Sequence, residues 1–94
     1  MQNGAKKKGG QIKGGKKRRN EQGIITLAHN VKKYRKQKGL TIAELANKLD
    51  LDYSQISRIE RGVVNATVSM IFDISDFFEI SPQMLLEEFK PDKD

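Results

Sequence analysis

Apolar side chains are almost absent from the first 23 residues, so any core must be built from the remaining stretch of about 70. Residues 1–23 combine six glycines with two clusters of lysine and hold only Met1, Ala5 and Ile12 as apolar residues. Such a segment cannot bury enough surface to offset its chain entropy, and it is expected to be a disordered basic tail. The stretch that follows must fold without covalent help. The chain has no cysteine, which excludes both a disulfide framework and every cysteine-ligated zinc site, and points to a reducing cytoplasm. Its longest apolar runs, such as Met70-Ile71-Phe72, fall far short of the roughly 20 residues of a membrane span. No apolar segment follows the basic N-terminus, so a secretory signal is not expected.

Charge divides the chain into three parts. Residues 1–23 hold eight Lys/Arg against the single Glu21, residues 24–62 hold eight against four Asp/Glu, and residues 63–94 hold two against seven. The overall +6 is therefore concentrated in the first two parts. A surface meant for a polyanion, backed by one that avoids it, has this distribution.

From Ile24 the pattern is helical. Leu27, Val31 and Tyr34 recur at i, i+4 and i+7, with Gly39 where a helix end favours a left-handed residue, which predicts a first helix near 26–38. Thr41-Ile42-Ala43-Glu44 has the form of a capping box, and Ile42, Leu45, Ala46 and Leu49 continue it as a short apolar stripe. Asp52 can cap a third helix, with Gln55 three residues on, Ile56 and Ile59 facing inward and Gly62 as its stop. A fourth helix is expected from near Asn65 or Thr67, presenting Val68, Ile71, Phe72, Ile74 and Phe78 to the core. Ser81-Pro82 opens a fifth that carries Leu85 and Leu86, with Phe89 at its margin, and Pro91 closes the fold. No strand signal or internal repeat is present. The predicted architecture is all-α and compact, with residues 1–23 as a tail and 24–94 as one domain.

Projected at 100° per residue, the third helix places Ile56 and Ile59 on one side and Ser54, Ser57, Arg58 and Arg61 on the other. The serines keep that outer face slim, and the arginines offer forked donors to guanine or phosphate. Arg35 and Glu60 each lie at the margin of an apolar face, on the first and third helices, and are expected to pair across the gap.

The run Lys38-Gly39-Leu40-Thr41-Ile42-Ala43-Glu44-Leu45-Ala46-Asn47-Lys48-Leu49, followed by Ile56-Ser57-Arg58-Ile59-Glu60-Arg61-Gly62, closely resembles the lambda-repressor-like (Cro and Xre) helix-turn-helix family over about residues 27–89. The resemblance implies a five-helix domain whose third helix lies in the major groove of double-stranded DNA, commonly as a homodimer that represses or autoregulates a promoter through a palindromic operator. Ile42 stands where the family often has a backbone-touching glutamine, and Asp50 where its turn usually carries glycine. On this pattern Tyr53, Ser54, Gln55, Ser57 and Arg58 are assigned to bases, and Arg61, Thr41 and Lys38 to phosphates. The tail is expected to raise affinity without choosing sequence.

Met70 and Phe77 add apolar area beyond the inward stripe of the fourth helix and are expected at a dimer contact. His29, the only histidine, has no second ligand spaced to join it and reads as a solvated residue. Glu87-Glu88 reads as a solvated end. No metal, cofactor, small-molecule ligand or catalytic residue is indicated. Two other readings remain open: an adaptor resembling the multiprotein bridging coactivators, and a general nucleic-acid binder driven by the tail.

Overall fold

In the computed structural model, which describes residues 18–89, the first helix begins at Glu21, earlier than its apolar spacing indicates. Asn20 is the reason. Its backbone is extended, and its side-chain Oδ1 accepts from the Gly23 N–H at 2.7 Å, satisfying one of the orphan donors of a helix start. Helix α1 therefore spans Glu21–Gln37, and the expected boundary between tail and domain at residue 23 falls inside its first turn. Residues 1–17, which hold most of the expected tail, lie outside the described residues, as does Pro91.

Four more helices follow: α2 Ile42–Leu49, α3 Tyr53–Glu60, α4 Val68–Phe78 and α5 Pro82–Leu85. Thr41 and Thr67 cap α2 and α4, their side-chain oxygens accepting from Glu44 N and Met70 N. Pro82 stands in the first turn of α5, where its missing N–H is no loss. The described residues contain no strand, and no helix among them is long and apolar enough to cross a membrane.

Each helix sends one apolar side chain to complete burial: Val31, Leu45, Ile56, Ile74 and Leu85 are all 0% exposed. Around them Leu27, Ala46, Ile59 and Phe78 finish a core in which α3 packs on α1 and α2, α4 on α2 and α5, and α5 on α1. Burial of each such aliphatic side chain stabilises the fold by about 1.5–3 kcal/mol. The fourth helix is phased differently from its expected stripe. Ile71, Ile74 and Phe78 do face inward or pack on the core, but Val68 is 69% exposed and Phe72 50%. Similarly, Leu85 is buried while Leu86 points out.

Two polar devices cross the core. Asn30, buried in α1, donates through Nδ2 to the carbonyls of Leu85 at 2.8 Å and Glu87 at 2.9 Å, so carbonyls at the end of α5 are satisfied by a side chain of α1. Beside it His29 is exposed, as expected, and its ring stacks on Phe89 with centroids 4.0 Å apart.

The second device is the Arg35–Glu60 fork. Arg35 donates Nε to Glu60 Oε2 at 2.7 Å and Nη2 to Oε1 at 2.9 Å, while Nη1 reaches the Leu40 carbonyl at 2.7 Å. Their side chains are only 10% and 3% exposed. The hydrogen bond to Glu60 raises the Arg35 pKa above its ordinary value, against the desolvation that would lower it. Glu60→Ala would leave that cation without its carboxylate, and a loss of about 3 kcal/mol is expected. Urea unfolding monitored by helical circular dichroism checks it, and an unchanged midpoint would refute it.

Candidate nucleic-acid interface

The three-residue link between α2 and α3 is set by Asp50, which takes the left-handed conformation at φ 60°, ψ 43°. Asp adopts this region more readily than most residues. The turn is closed by Leu51 N–H donating to the Ala46 carbonyl at 2.9 Å, so α2 ends with its carbonyls satisfied. On the far side Asp52 begins α3 with extended backbone, and its N–H donates to Gln55 Oε1 at 2.9 Å. The sequence pattern points Gln55 at bases; in the structure its carbonyl oxygen is committed to the start of its own helix, which leaves its NH2 group to face outward chemistry.

Ile56 and Ile59 anchor α3 to the core at 0% and 2% exposure. The opposite face is then forced out. Tyr53, Ser54, Arg58 and Arg61 are exposed, and Ser57 is half-buried between them. Arg61 lies just past the helix and folds back along it, its Nε donating to Ser57 Oγ at 3.3 Å. Among the described residues neither Arg58 nor Arg61 has an acidic partner; the ion pairs present are Arg35–Glu60 and Arg19–Glu21. The face is thus a set of exposed polar groups on a slim helix, with two guanidinium charges free of acidic partners among the described residues.

Thr41 and Lys38 sit at the start of α2 and the end of α1. The Thr41 oxygen accepts from Glu44 N at 3.0 Å while Glu44 Oε1 accepts from Thr41 N at 2.8 Å, completing a capping box. An accepting hydroxyl still has its own proton to donate. Lys38 closes α1 and is exposed.

The two side chains expected at a dimer contact, Met70 and Phe77, are partly covered within the chain itself. Met70 is half-buried and lines a groove with Gln55, Arg58, Asn65 and Thr67; Phe77 is half-buried with its ring centroid 5.4 Å from that of Phe78. The apolar area that α4 leaves in solvent belongs to Val68 and Phe72 instead. Asn65, treated in the sequence only as a possible helix start, lines that groove and donates through Nδ2 to the Arg18 carbonyl at 3.3 Å. Nothing in the loop Val63-Val64-Asn65-Ala66 signals this, because the contact spans 47 positions. No group of three His, Asp or Glu side chains that could hold a metal occurs among the described residues.

Comparison with known proteins gives one family and several relatives. The profile of the HTH_3 helix-turn-helix family matches residues 31–85. The HTH-type transcriptional regulator SinR of Bacillus subtilis (strain 168) is 33% identical over 63 residues, covering 66% of this chain. A hypothetical transcription factor, NHTF from Neisseria, superposes with a TM-score of 0.69 at 30% identity, over 74% of this chain and 82% of its own. The restriction-modification controller protein C.Esp1396I, solved as a tetramer in complex with its natural 35 base-pair operator, superposes with a TM-score of 0.60 at 34% identity, over 66% of this chain and 82% of its own. The match spans 57% of the length of SinR.

Thr41→Ala removes the acceptor half of the α2 capping box and should lower stability by about 0.5–2 kcal/mol, with Thr41→Ser retaining most of it. Urea midpoints of the two variants measure this, and equal losses would show that the hydroxyl is not the capping group.

Proposed function

The chain belongs to the HTH_3 helix-turn-helix family, and from that premise we propose that it is a sequence-specific double-stranded DNA-binding regulator of transcription that lays α3 in the major groove. The observation that carries the reading is the outward face of α3: exposed Tyr53, Ser54, Arg58 and Arg61, with both arginines lacking acidic partners among the described residues. A helix packed by Ile56 and Ile59 on one side has a single face to present, and this one is cationic and narrow enough to enter the groove. C.Esp1396I, similar in fold, was solved on an operator, which supports the same partner here. On this reading the work is binding rather than catalysis, carried out in the cytoplasm.

Roles follow position along the helix. Tyr53 and Ser54 in the first turn would lie nearest the bases, with Arg58 one turn further offering a bidentate fork to guanine. Gln55 would contribute only its NH2 group, because its oxygen holds Asp52 N. Arg61, at the end of the helix, would meet phosphate from beside Ser57, with Lys38 meeting it from the end of α1 and the Thr41 hydroxyl from the start of α2. Binding would be as a homodimer on a palindromic site. The exposed Val68 and Phe72 support self-association through α4, and the tetramer of C.Esp1396I is consistent with it.

Gel-shift competition between a selected palindromic duplex and bulk DNA tests the reading, since a tail-driven binder would not discriminate and an adaptor would bind neither tightly. Arg58→Ala should then cost about 1–3 kcal/mol on the preferred site and relax choice at one base pair, whereas Arg61→Ala should weaken all sequences alike. Intact sequence preference in Arg58→Ala would overturn the assignment. Sedimentation at concentrations on the order of tens of micromolar should show a dimer that Phe72→Glu converts to monomer. A wild-type monomer, with and without operator, would count against the dimer.

A further inference from the structure

The groove beside α3 pairs an apolar floor with hydrogen-bond donors that the fold leaves free. It lies between α3, the α3–α4 loop and the start of α4, and has a volume of about 190 Å³. Ile59, Val64, Ala66 and Met70 supply the apolar part, all of them in or against the core. Gln55, Arg58, Asn65 and Thr67 supply the polar part. Three of these have protons to give. The Gln55 oxygen accepts from Asp52 N, which leaves the NH2 group, and the Thr67 oxygen accepts from Met70 N, which leaves the hydroxyl proton. Arg58 is exposed and has no acidic partner among the described residues. Among the described residues, no acid lines the groove.

A cation and neutral donors set around an apolar floor suit an anionic head that carries a short hydrocarbon body. A purely ionic solute would leave the floor wet, and an uncharged one would leave the guanidinium without a counter-charge. Size narrows the class further. Sites for drug-sized ligands begin at about 300 Å³, whereas this groove holds roughly six groups the size of a water molecule. We propose that it is an effector site for a short-chain monocarboxylate of about six carbons, whose carboxylate takes the Arg58 fork and whose chain lies on Ile59, Val64, Ala66 and Met70. The inference rests on the DNA-binding reading above and adds regulation to it. Arg58 and Gln55 serve both partners, so a bound carboxylate withdraws two base-reading groups and sets a negative charge where DNA phosphates approach. Occupation of the groove and of the operator exclude each other, and the effector releases DNA.

Amide NMR spectra of the full chain titrated with hexanoate test the site. Shifts should concentrate on Ile59, residues 64–67, Met70 and the Gln55 side-chain amide, with half-saturation in the millimolar range. Acetate carries the charge without the chain, and hexanol the chain without the charge; each should bind at least about tenfold more weakly. Ala66→Leu fills the floor from within and Arg58→Gln removes the fork, and each should weaken hexanoate binding at least about fivefold. Helical circular dichroism checks that Ala66→Leu is folded, and Arg58→Gln, which alters an exposed side chain, carries the test if it is not. At about ten times its dissociation constant, hexanoate should weaken operator binding roughly tenfold relative to the same concentration of sodium chloride, and should not do so in Ala66→Leu. Shifts spread evenly over the cationic surface, equal binding of acetate and hexanoate, or hexanoate bound with operator affinity unchanged would each overturn the inference. A protein that prefers its operator yet ignores hexanoate would sink it and leave the helix-turn-helix reading standing. A protein that binds hexanoate in the groove but prefers no duplex would remove that reading, and the regulatory role with it.

Discussion

The placement of α3 depends on a guanidinium and a carboxylate locked together where water is nearly excluded. Arg35 reaches out from α1, takes both oxygens of Glu60 on α3, and gives a third N–H to the Leu40 carbonyl just before α2. One side chain thus ties together the three elements that must keep their relative angles if α3 is to meet a groove. Aliphatic packing alone would tolerate small rotations of α3, since Ile56 and Ile59 are smooth and non-directional. A bidentate fork does not tolerate them, because both N–H groups must stay aligned with both oxygens. The energetic return of such a pair over a hydrophobic replacement can be small, and its value here is orientation.

That constraint divides the arginines of the chain into two uses. Arg35 is consumed by the fold, with every mapped donor directed at Glu60 or Leu40. Arg58 and Arg61 are kept out of ion pairs among the described residues. The half that follows α3 carries the acids, including Asp73, Asp76 and Glu79 on the exposed side of α4. The excess of cations up to α3 and of anions after it gives the chain a charge asymmetry that favours the approach of a polyanion from the cationic part.

Much of this was legible in the sequence, and the exceptions have physical causes. The capping box at Thr41 and Glu44, the left-handed Asp50 and the inward Ile56 and Ile59 follow from local rules that the tertiary fold did not override. Apolar spacing starts α1 late because Glu21, Gln22 and Gly23 carry no apolar signal; only the Asn20 cap announces it. The phase of helix α4 is hard to read because Val68, Met70, Ile71, Phe72, Ile74, Phe77 and Phe78 spread over most of its circumference, leaving the strip of Ser69, Asp73 and Asp76 polar. Periodicity cannot fix the centre of so broad an apolar face. The groove took Met70, the core margin took Phe77, and the exposed area passed to Val68 and Phe72. Gln55 illustrates a different limit: a residue able both to cap and to read bases does the local task first. The contact of Asn65 with Arg18 and the stacking of His29 on Phe89 join distant parts of the chain and leave no trace in spacing.

Asn30 has a consequence for the order in which the domain assembles. A four-residue helix has no stability of its own, and α5 exists because α1 supplies a donor for the carbonyls at its end and a wall for Leu85. The bond from Asn30 to Leu85 closes 55 positions of chain, whereas the Arg35–Glu60 fork closes 25. Shorter loops close at lower entropic cost, so the arrangement of α1, α2 and α3 is expected to form first, leaving α5 to dock last as a latch over an already ordered scaffold. Transient opening under native conditions should then begin at the latch, exposing the Leu85 pocket while the major-groove surface keeps its geometry.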